Sequence, residues 1–191
     1  MSPTATIPDA HRQTKYQVRF DWAAEGAAAV AADADVVVWV DALEPDGAGA
    51  TVPEIPGTGA VLRAGLTDPS AVAQWILDEQ VRLGRRAMVA VVAAGGSTAA
   101  GATRFAVEDL LAAGAVVDAL AVRGIDYSSP EAAAACAAFT GLRRAVAHLL
   151  TASVSAQELA AAGVATAEIA ALGRLDWSQD VTVLRSGSTP E

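Results

Sequence analysis

The sequence predicts an α/β protein with a three-layer α/β/α arrangement, in which a mostly parallel sheet carries helices on both faces. Short apolar runs rich in β-branched residues alternate along the chain with longer, Ala-rich segments of helical character. The strand-like runs are apolar throughout, which is typical of strands buried on both faces of a parallel sheet. With 191 residues, the chain is long enough for one domain with a full core.

The clearest strand is predicted over residues 35–41, where four valines and a tryptophan stand between two aspartates. Further strands are predicted over residues 16–20, 60–66, 86–94 and 180–185. Helices are predicted over residues 22–32, 68–83, 103–122, 131–150, 155–162 and 165–172.

Capping residues mark several of the predicted helix ends. Asp68 stands at an N-cap position with Pro69 in the first turn, and Gly84 ends the same helix. Ser155 and Glu158 have the spacing of a capping box, so a short helix is predicted to begin there.

The domain is predicted to span residues 15–185. Residues 1–14 are polar and lack the apolar core of a signal peptide, so we expect a disordered tail and a cytoplasmic protein. A second tail is expected over residues 186–191. Residues 44–59 are rich in proline and glycine and are predicted to form an extended loop.

Charge and hydropathy exclude two classes of partner and favour a third. A net charge of −9 with a single lysine argues against nucleic-acid binding, which needs clustered basic residues. Polar residues and glycines interrupt every apolar run well before the roughly 20 residues that cross a bilayer, so no membrane span is expected. Because only 18% of residues are charged and the helices are Ala-rich, apolar helix faces are available for a homo-oligomer.

Acids and glycines follow three of the predicted strands. Asp21 and Asp41 each follow a strand, and Gly95, Gly96 and Ser97 follow another. Open α/β sheets bind ligands outside the carboxyl ends of their strands, so these residues are candidates for a binding site. An equally good explanation for either aspartate alone is a role in capping the next segment. The glycine run matches neither the dinucleotide fingerprint nor the phosphate-binding P-loop.

Two further acids, Glu108 and Asp109, stand side by side in an apolar helical segment. A carboxylate removed from water costs several kcal/mol unless it is paired, hydrogen-bonded or bound to a cation. Arg104 lies four residues before Glu108, so a pair on the helix surface would explain that acid. Asp109 shares its helix face with Phe105 and Ala113, which makes it the stronger candidate. Oxygen ligands suit Mg²⁺, and we expect Asp41 and Asp109 to bind it.

Four segments of the chain carry a resemblance: residues 18–22, the strand ending at Asp41, residues 66–75 and, above all, Arg-Phe-Ala-Val-Glu-Asp-Leu-Leu-Ala-Ala-Gly-Ala over residues 104–115. These segments resemble the 2-phosphosulfolactate phosphatase family. The resemblance implies an α/β/α, Mg²⁺-dependent phosphatase associated with the route to coenzyme M. Its substrate would be a small phosphorylated anion.

The resemblance also implies roles for the candidate residues. Asp41 and Asp109 would be metal ligands, and Asp21 and Glu108 would support them or act as the base. Gly95, Gly96 and Ser97 would offer amides and a hydroxyl to the phosphate, with Arg104 beside them.

An alternative function is a non-catalytic binding or interaction protein that keeps the fold. The chain departs from the family pattern directly after Asp41, and residues 45–59 lack family motifs that carry hydroxyls, amides and an arginine. The two functions are distinguished by whether Arg63, Arg104 or Thr98 reaches the mouth formed by Asp41 and Gly96.

Overall fold

The computed structural model describes residues 7–43 and 52–187, and its centre is a 5-stranded sheet. The strands in chain order are β1 (Val18–Trp22), β2 (Val36–Val40), β3 (Ala60–Ala64), β4 (Val89–Ala93), the two-residue strands β5 (Gly96–Ser97) and β6 (Thr103–Arg104), and β7 (Thr182–Arg185). The sheet order is β1-β4-β2-β3-β7, with β7 antiparallel to β3 and the other neighbours parallel. Strands β5 and β6 form a separate antiparallel pair that was not predicted.

Helices cover both faces of this sheet, which confirms the predicted three-layer α/β/α fold. They are α1 (Ala23–Val30), α2 (Pro69–Leu83), α3 (Val107–Val122), α4 (Pro130–Leu142), α5 (Val146–Ala152), α6 (Val154–Ala161) and α7 (Thr166–Leu172). Helix α1 packs on one face, while residues of the later helices pack in the larger core on the other.

The central strand β2 shows why its sequence is apolar throughout. Val38 and Val40 belong to the larger core, whereas Val37 and Trp39 pack in the smaller core with residues of α1. Successive side chains of a strand point to opposite faces, so both sets must be apolar when both faces are covered.

The strand register brings the carboxyl ends to one edge of the sheet. Trp22 aligns with Ala93, Ala93 with Val40, and Val40 with Ala64. The residues that follow these strands therefore meet at this edge, which we call the carboxyl edge. The opposite edge, where the same strands begin, is called the amino edge.

Helix α3 approaches α4 closely through a glycine. A Cβ atom on Gly114 would lie 2.1 Å from the carbonyl oxygen of Ala135 and 2.7 Å from Cβ of Phe139. No side chain fits at that position, which explains a glycine in the middle of a helix despite its cost in backbone entropy.

Two helix predictions need correction. The helix predicted over residues 131–150 is interrupted by a 3-10 turn, Arg143–Ala145, between α4 and α5. The capping box predicted from Ser155 and Glu158 is wrong: Ser153 accepts the hydrogen bond from the Ala156 N–H at 3.1 Å, so the N-cap lies two residues before Ser155 and α6 begins at Val154.

The predicted N-terminal tail is partly ordered. Residues Asp9–Arg12 form a 3-10 turn, and the Gln13 side-chain amide exchanges hydrogen bonds of 2.8 and 3.1 Å with the backbone of Phe20. Residues 1–6, much of the predicted loop (44–51) and residues 188–191 lie outside the described part. None of the described helices is long and apolar enough to span a lipid bilayer.

Candidate active site

Asp109, in the first turn of α3, joins the ends of two central strands. Its Oδ1 accepts a hydrogen bond from the Ala42 N–H just beyond β2, and its Oδ2 accepts one from the Gly95 N–H just beyond β4, both at 2.9 Å. The residue is 3% exposed. The carboxylate therefore fixes the start of α3 against the carboxyl edge of the sheet.

The charge of Asp109 is poorly compensated. Burial raises its pKa well above the ordinary value, and the nearby Asp41 and Glu108 raise it further, while the two backbone N–H groups act in the opposite direction. Within the described residues, its hydrogen bonds come from backbone amides and no cationic side chain pairs with it. The surroundings of Asp109 therefore disfavour its charged form, and a positive charge placed beside it would lower that pKa.

Glu108 is even less exposed than its neighbour, at 2%. The surface pair predicted between Glu108 and Arg104 is wrong, because Arg104 lies in β6, outside the helix, and pairs elsewhere. In the described part of the chain, no hydrogen bond or ion pair involves the Glu108 carboxylate.

Asp41 lines a cavity of about 340 Å³ at the ends of β2 and β3. Its Oδ1 accepts a hydrogen bond of 3.2 Å from the Leu43 N–H. The cavity also carries a guanidinium, three hydroxyls, two further acids and an indole, contributed by Arg63, Thr67, Ser178, Thr182, Asp68, Asp180 and Trp177. An acid expected to bind metal and an arginine thus face the same space.

Arg104 reaches the glycine loop from the other side. A Cβ atom on Gly96 would lie 2.7 Å from its Nη2. The same Nη2 donates a hydrogen bond of 3.1 Å to Ser155 Oγ and lies 3.8 Å from Glu158 Oε2. Arg104 is therefore held across the backbone of Gly96, a position that a larger residue would disturb.

Two arginines therefore lie near different parts of the predicted mouth, one beside Asp41 and one beside Gly96. Arg63 shares the cavity with Asp41, and Arg104 lies over Gly96. Thr98 instead closes an exposed turn, with its Oγ1 accepting a hydrogen bond from the Ala102 N–H at 3.0 Å.

The glycine loop differs from its predicted role. The Gly95 amide is used by Asp109, so it is not available to a ligand in this arrangement. Gly96 and Ser97 form β5 and pair with Arg104 and Thr103 of β6, and the Ser97 side chain is exposed.

Asp21 lies apart from this group. It lines a second cavity of about 430 Å³ with His11 and Glu25, and this cavity shares no lining residue with the first. Its Oδ1 accepts a hydrogen bond from the Trp22 N–H at 2.8 Å. Burial raises the pKa of Asp21, and that hydrogen bond partly offsets the effect. The structure thus brings Asp41 and Asp109 together but does not add Asp21.

Sequence reasoning missed the hydroxyls of the first cavity. Thr67 follows β3 and could have been found by the same strand-end rule that selected Asp41. Ser178 and Thr182 lie before and within the antiparallel edge strand β7, where that rule does not apply.

In the described residues, no group of three or more histidine, cysteine, aspartate or glutamate side chains forms a metal site. Mg²⁺ is often held by only one or two carboxylates together with water and substrate phosphate, so a Mg²⁺ site does not require a group of three such side chains.

Comparison with known proteins identifies the family. The sequence model described as 2-phosphosulpholactate phosphatase matches residues 51–187. The chain belongs to this family. The matched range covers most of the chain and includes Arg63, Arg104 and Asp109. A comparison with curated proteins finds no match.

Proposed function

We propose that this protein is a phosphoric monoester hydrolase of the 2-phosphosulpholactate phosphatase type, which uses Mg²⁺ to act on a small phosphorylated hydroxy acid. The observation that carries the proposal is the buried Asp109 carboxylate, which joins the ends of β2 and β4 beside Asp41 and an arginine-bearing cavity. Family membership supports the reaction class.

Asp41 and Asp109 are the proposed metal ligands, with Glu108 as a supporting acid or the base that activates water. The raised pKa of Asp109, caused by burial and then by the charge of Asp41, supports a cation at this position. A bound Mg²⁺ would neutralise charge on the phosphoryl group and orient it for attack by water.

Arg63 and Arg104 are the proposed phosphate-binding residues. The chain has a net charge of −9, so an anionic substrate is repelled at long range and needs local donors. A guanidinium presents several N–H donors in a planar fork that matches phosphate oxygens. Arg104 is already held by Ser155, which reduces the ordering needed when substrate binds.

The test measures Mg²⁺ binding and hydrolysis separately. We expect millimolar Mg²⁺ to raise the melting temperature by mass action, and Asp109→Asn to abolish that rise. We expect Mg²⁺-dependent hydrolysis of 2-phosphosulpholactate and of an aryl phosphate. Asp41→Ala should lower kcat/KM by about 10²–10³-fold, the range seen when one electrostatic group is lost. Glu168→Ala, on the exposed surface of α7, is the matched control and should change neither quantity.

The outcomes separate the two candidate functions. Hydrolysis at the no-enzyme background with the Mg²⁺ effect retained would favour the binding protein over the phosphatase. Absence of both responses would show that the proposed site is wrong.

A further inference from the structure

One wall of the candidate cavity comes from the far end of the chain. Trp177 and Ser178 line the cavity together with Asp41 and Arg63. Both belong to residues 176–178, between α7 and β7, which we call the 176–178 wall. Trp177 is 55% exposed, and the guanidinium of Arg174 lies 4.8 Å from its ring centroid.

The backbone of this wall is hydrogen-bonded to the loop after β3. The Asp176 N–H donates to the Leu66 carbonyl and the Ser178 N–H donates to the Thr67 carbonyl, both at 2.9 Å. The wall therefore runs alongside residues 66 and 67, which line the same cavity.

Asp176 holds the wall in a conformation that few residues adopt. Its φ is 53°, in the left-handed region that glycine, asparagine and aspartate adopt more readily than other residues. Its Oδ1 accepts a hydrogen bond of 2.9 Å from the Ser70 N–H, and its Oδ2 accepts one of 2.6 Å from the Ser70 hydroxyl. Such a conformation persists when the surrounding contacts fix it, and these two contacts do so.

The contact also completes the start of α2. The carboxylate of Asp68, at the N-cap position, accepts a hydrogen bond from the Gly65 N–H. It does not accept a capping hydrogen bond from an N–H group in the first turn of α2. Asp176 satisfies the free Ser70 N–H instead, from 106 residues further along the chain. A carboxylate at this position is also favoured by the helix dipole. The side chain of Asp176 thus attaches the wall to helix α2 at Ser70, in addition to the two backbone hydrogen bonds to residues 66 and 67.

We infer that Asp176 is a positioning residue, and that the 176–178 wall it holds sets which phosphate ester the cavity accepts. The inference rests on the proposed phosphatase function. Trp177 and Ser178 face the same space as the proposed metal ligand Asp41, so they are placed to contact the part of the substrate that leaves with the ester oxygen. Loosening the wall should weaken selection among esters and leave the chemical step intact.

The experiment compares Asp176→Ala, Asp176→Asn and the control Gln179→Ala, an exposed neighbour that does not line the cavity. Asp176→Ala removes both contacts, whereas asparagine tolerates the left-handed conformation and keeps an acceptor for Ser70. We expect Asp176→Ala to raise KM for 2-phosphosulpholactate roughly tenfold with kcat nearly unchanged, because the loosened wall must be ordered when substrate binds. The preference of the enzyme for 2-phosphosulpholactate over an aryl phosphate should fall by a similar factor. Asp176→Asn should restore most of the wild-type KM and most of this preference.

A second measurement does not need activity. Emission of Trp177, obtained as the difference between each protein and its Trp177→Phe counterpart, should shift to longer wavelength in Asp176→Ala and stay unchanged in Gln179→Ala. If Asp176→Ala does not fold, Ser70→Ala can be used instead, because it removes only the hydroxyl contact. It should change KM, ester preference and Trp177 emission in the same direction but by less.

The two proposals fail in different ways. An active wild type whose KM, ester preference and Trp177 emission survive Asp176→Ala would overturn the inference and leave the phosphatase standing. A kcat that falls as much as kcat/KM would also overturn it, because the wall would then act on the chemical step. An inactive wild type would overturn the phosphatase, and with it the role of the wall in substrate choice.

Discussion

Asp35 and Asp109 are largely buried acids at opposite edges of the same sheet, and they are compensated differently. Asp35, at the amino edge, accepts hydrogen bonds of 2.8 and 2.7 Å from Arg85 and one of 2.8 Å from the Met88 N–H. Asp109, at the carboxyl edge, accepts two backbone N–H groups and lies near the charge of Asp41. Burial alone would raise the pKa of both acids. The contacts of Asp35 reverse that effect and lower its pKa, whereas the pKa of Asp109 stays raised.

Glycines at the two ends of β3 show the same contrast in packing. A Cβ atom on Gly59, at the amino edge, would lie 2.3 Å from the Ala34 carbonyl oxygen. A Cβ atom on Gly65, at the carboxyl edge, would meet nothing closer than 3.8 Å. At the amino edge, Gly59 is closely packed and Asp35 is paired with Arg85, whereas at the carboxyl edge Gly65 has open space around it and the pKa of Asp109 stays raised. Perturbed acids beside an open cavity are a feature of functional sites.

The largest effect should come from replacing an arginine with alanine, and the result should differ between Arg63 at the carboxyl edge and Arg85 at the amino edge. Arg63→Ala should lower kcat/KM by about 10²–10³-fold, because a phosphate-binding donor is lost. Arg85→Ala should leave kcat/KM unchanged and lower the melting temperature, because its contacts are with Asp35. Steady-state kinetics and thermal unfolding of both variants test this. Equal losses of activity in the two would remove the functional distinction between the edges.

The glycines provide a test of packing. Gly59→Ala should destabilise the fold by about 3 kcal/mol, since the added methyl group meets backbone atoms that cannot move aside. Gly65→Ala should be tolerated, with an effect near 0.5 kcal/mol or less. Urea unfolding gives both values. A Gly59→Ala protein as stable as the wild type would show that the backbone of residues 34 and 35 can move to make room for the methyl group.

The lowered pKa of Asp35 predicts a pH dependence. A carboxyl group whose pKa is lower in the folded state stabilises the fold above its unfolded value, near 3.8, and this contribution is lost as the pH falls through the folded value. Asp35→Asn should therefore cost on the order of 1 kcal/mol at pH 7. The difference from wild type should shrink steadily below about pH 4. A difference that is constant down to pH 2 would contradict an ionic origin.

The smallest effect is expected at Gly96. An alanine there would displace the guanidinium of Arg104, which can move because it ends a flexible side chain. Stability should stay within about 0.5 kcal/mol of wild type. Activity should fall only a few-fold, since Arg104 is moved and not removed. An Arg104→Ala variant with full activity would show instead that Arg63 is the only arginine needed to bind the phosphate group.

Most of the fold could be predicted because the sheet is buried on both faces. Four valines and a tryptophan in five consecutive positions leave no other explanation for β2, and the first four long strands were all found. The β5–β6 pair was missed because strands of two residues carry no periodic pattern. The interruption after α4 was missed although Gly141, next to the last residue of α4, is the kind of residue that marks a helix end.

The site was predicted only where local rules apply. Asp41 follows a buried strand, and Asp109 stands on the apolar face of a helix, so each was visible in its own segment. The contact between Asp176 and Ser70 joins residues 106 positions apart and depends on how the last strand turns back along β3. No local pattern encodes such a contact, so a side of the cavity could not be foreseen.

The position of β7 has a consequence for the order in which the molecule is completed. All four parallel strands lie before residue 94, and the 176–178 wall and β7 come after every helix. Because chains emerge from the ribosome N-terminus first, the central sheet can assemble while the last segment is still being synthesised. The 176–178 wall is therefore completed last, and cleavage near residue 174 would separate this wall and the edge strand β7 from the four parallel strands.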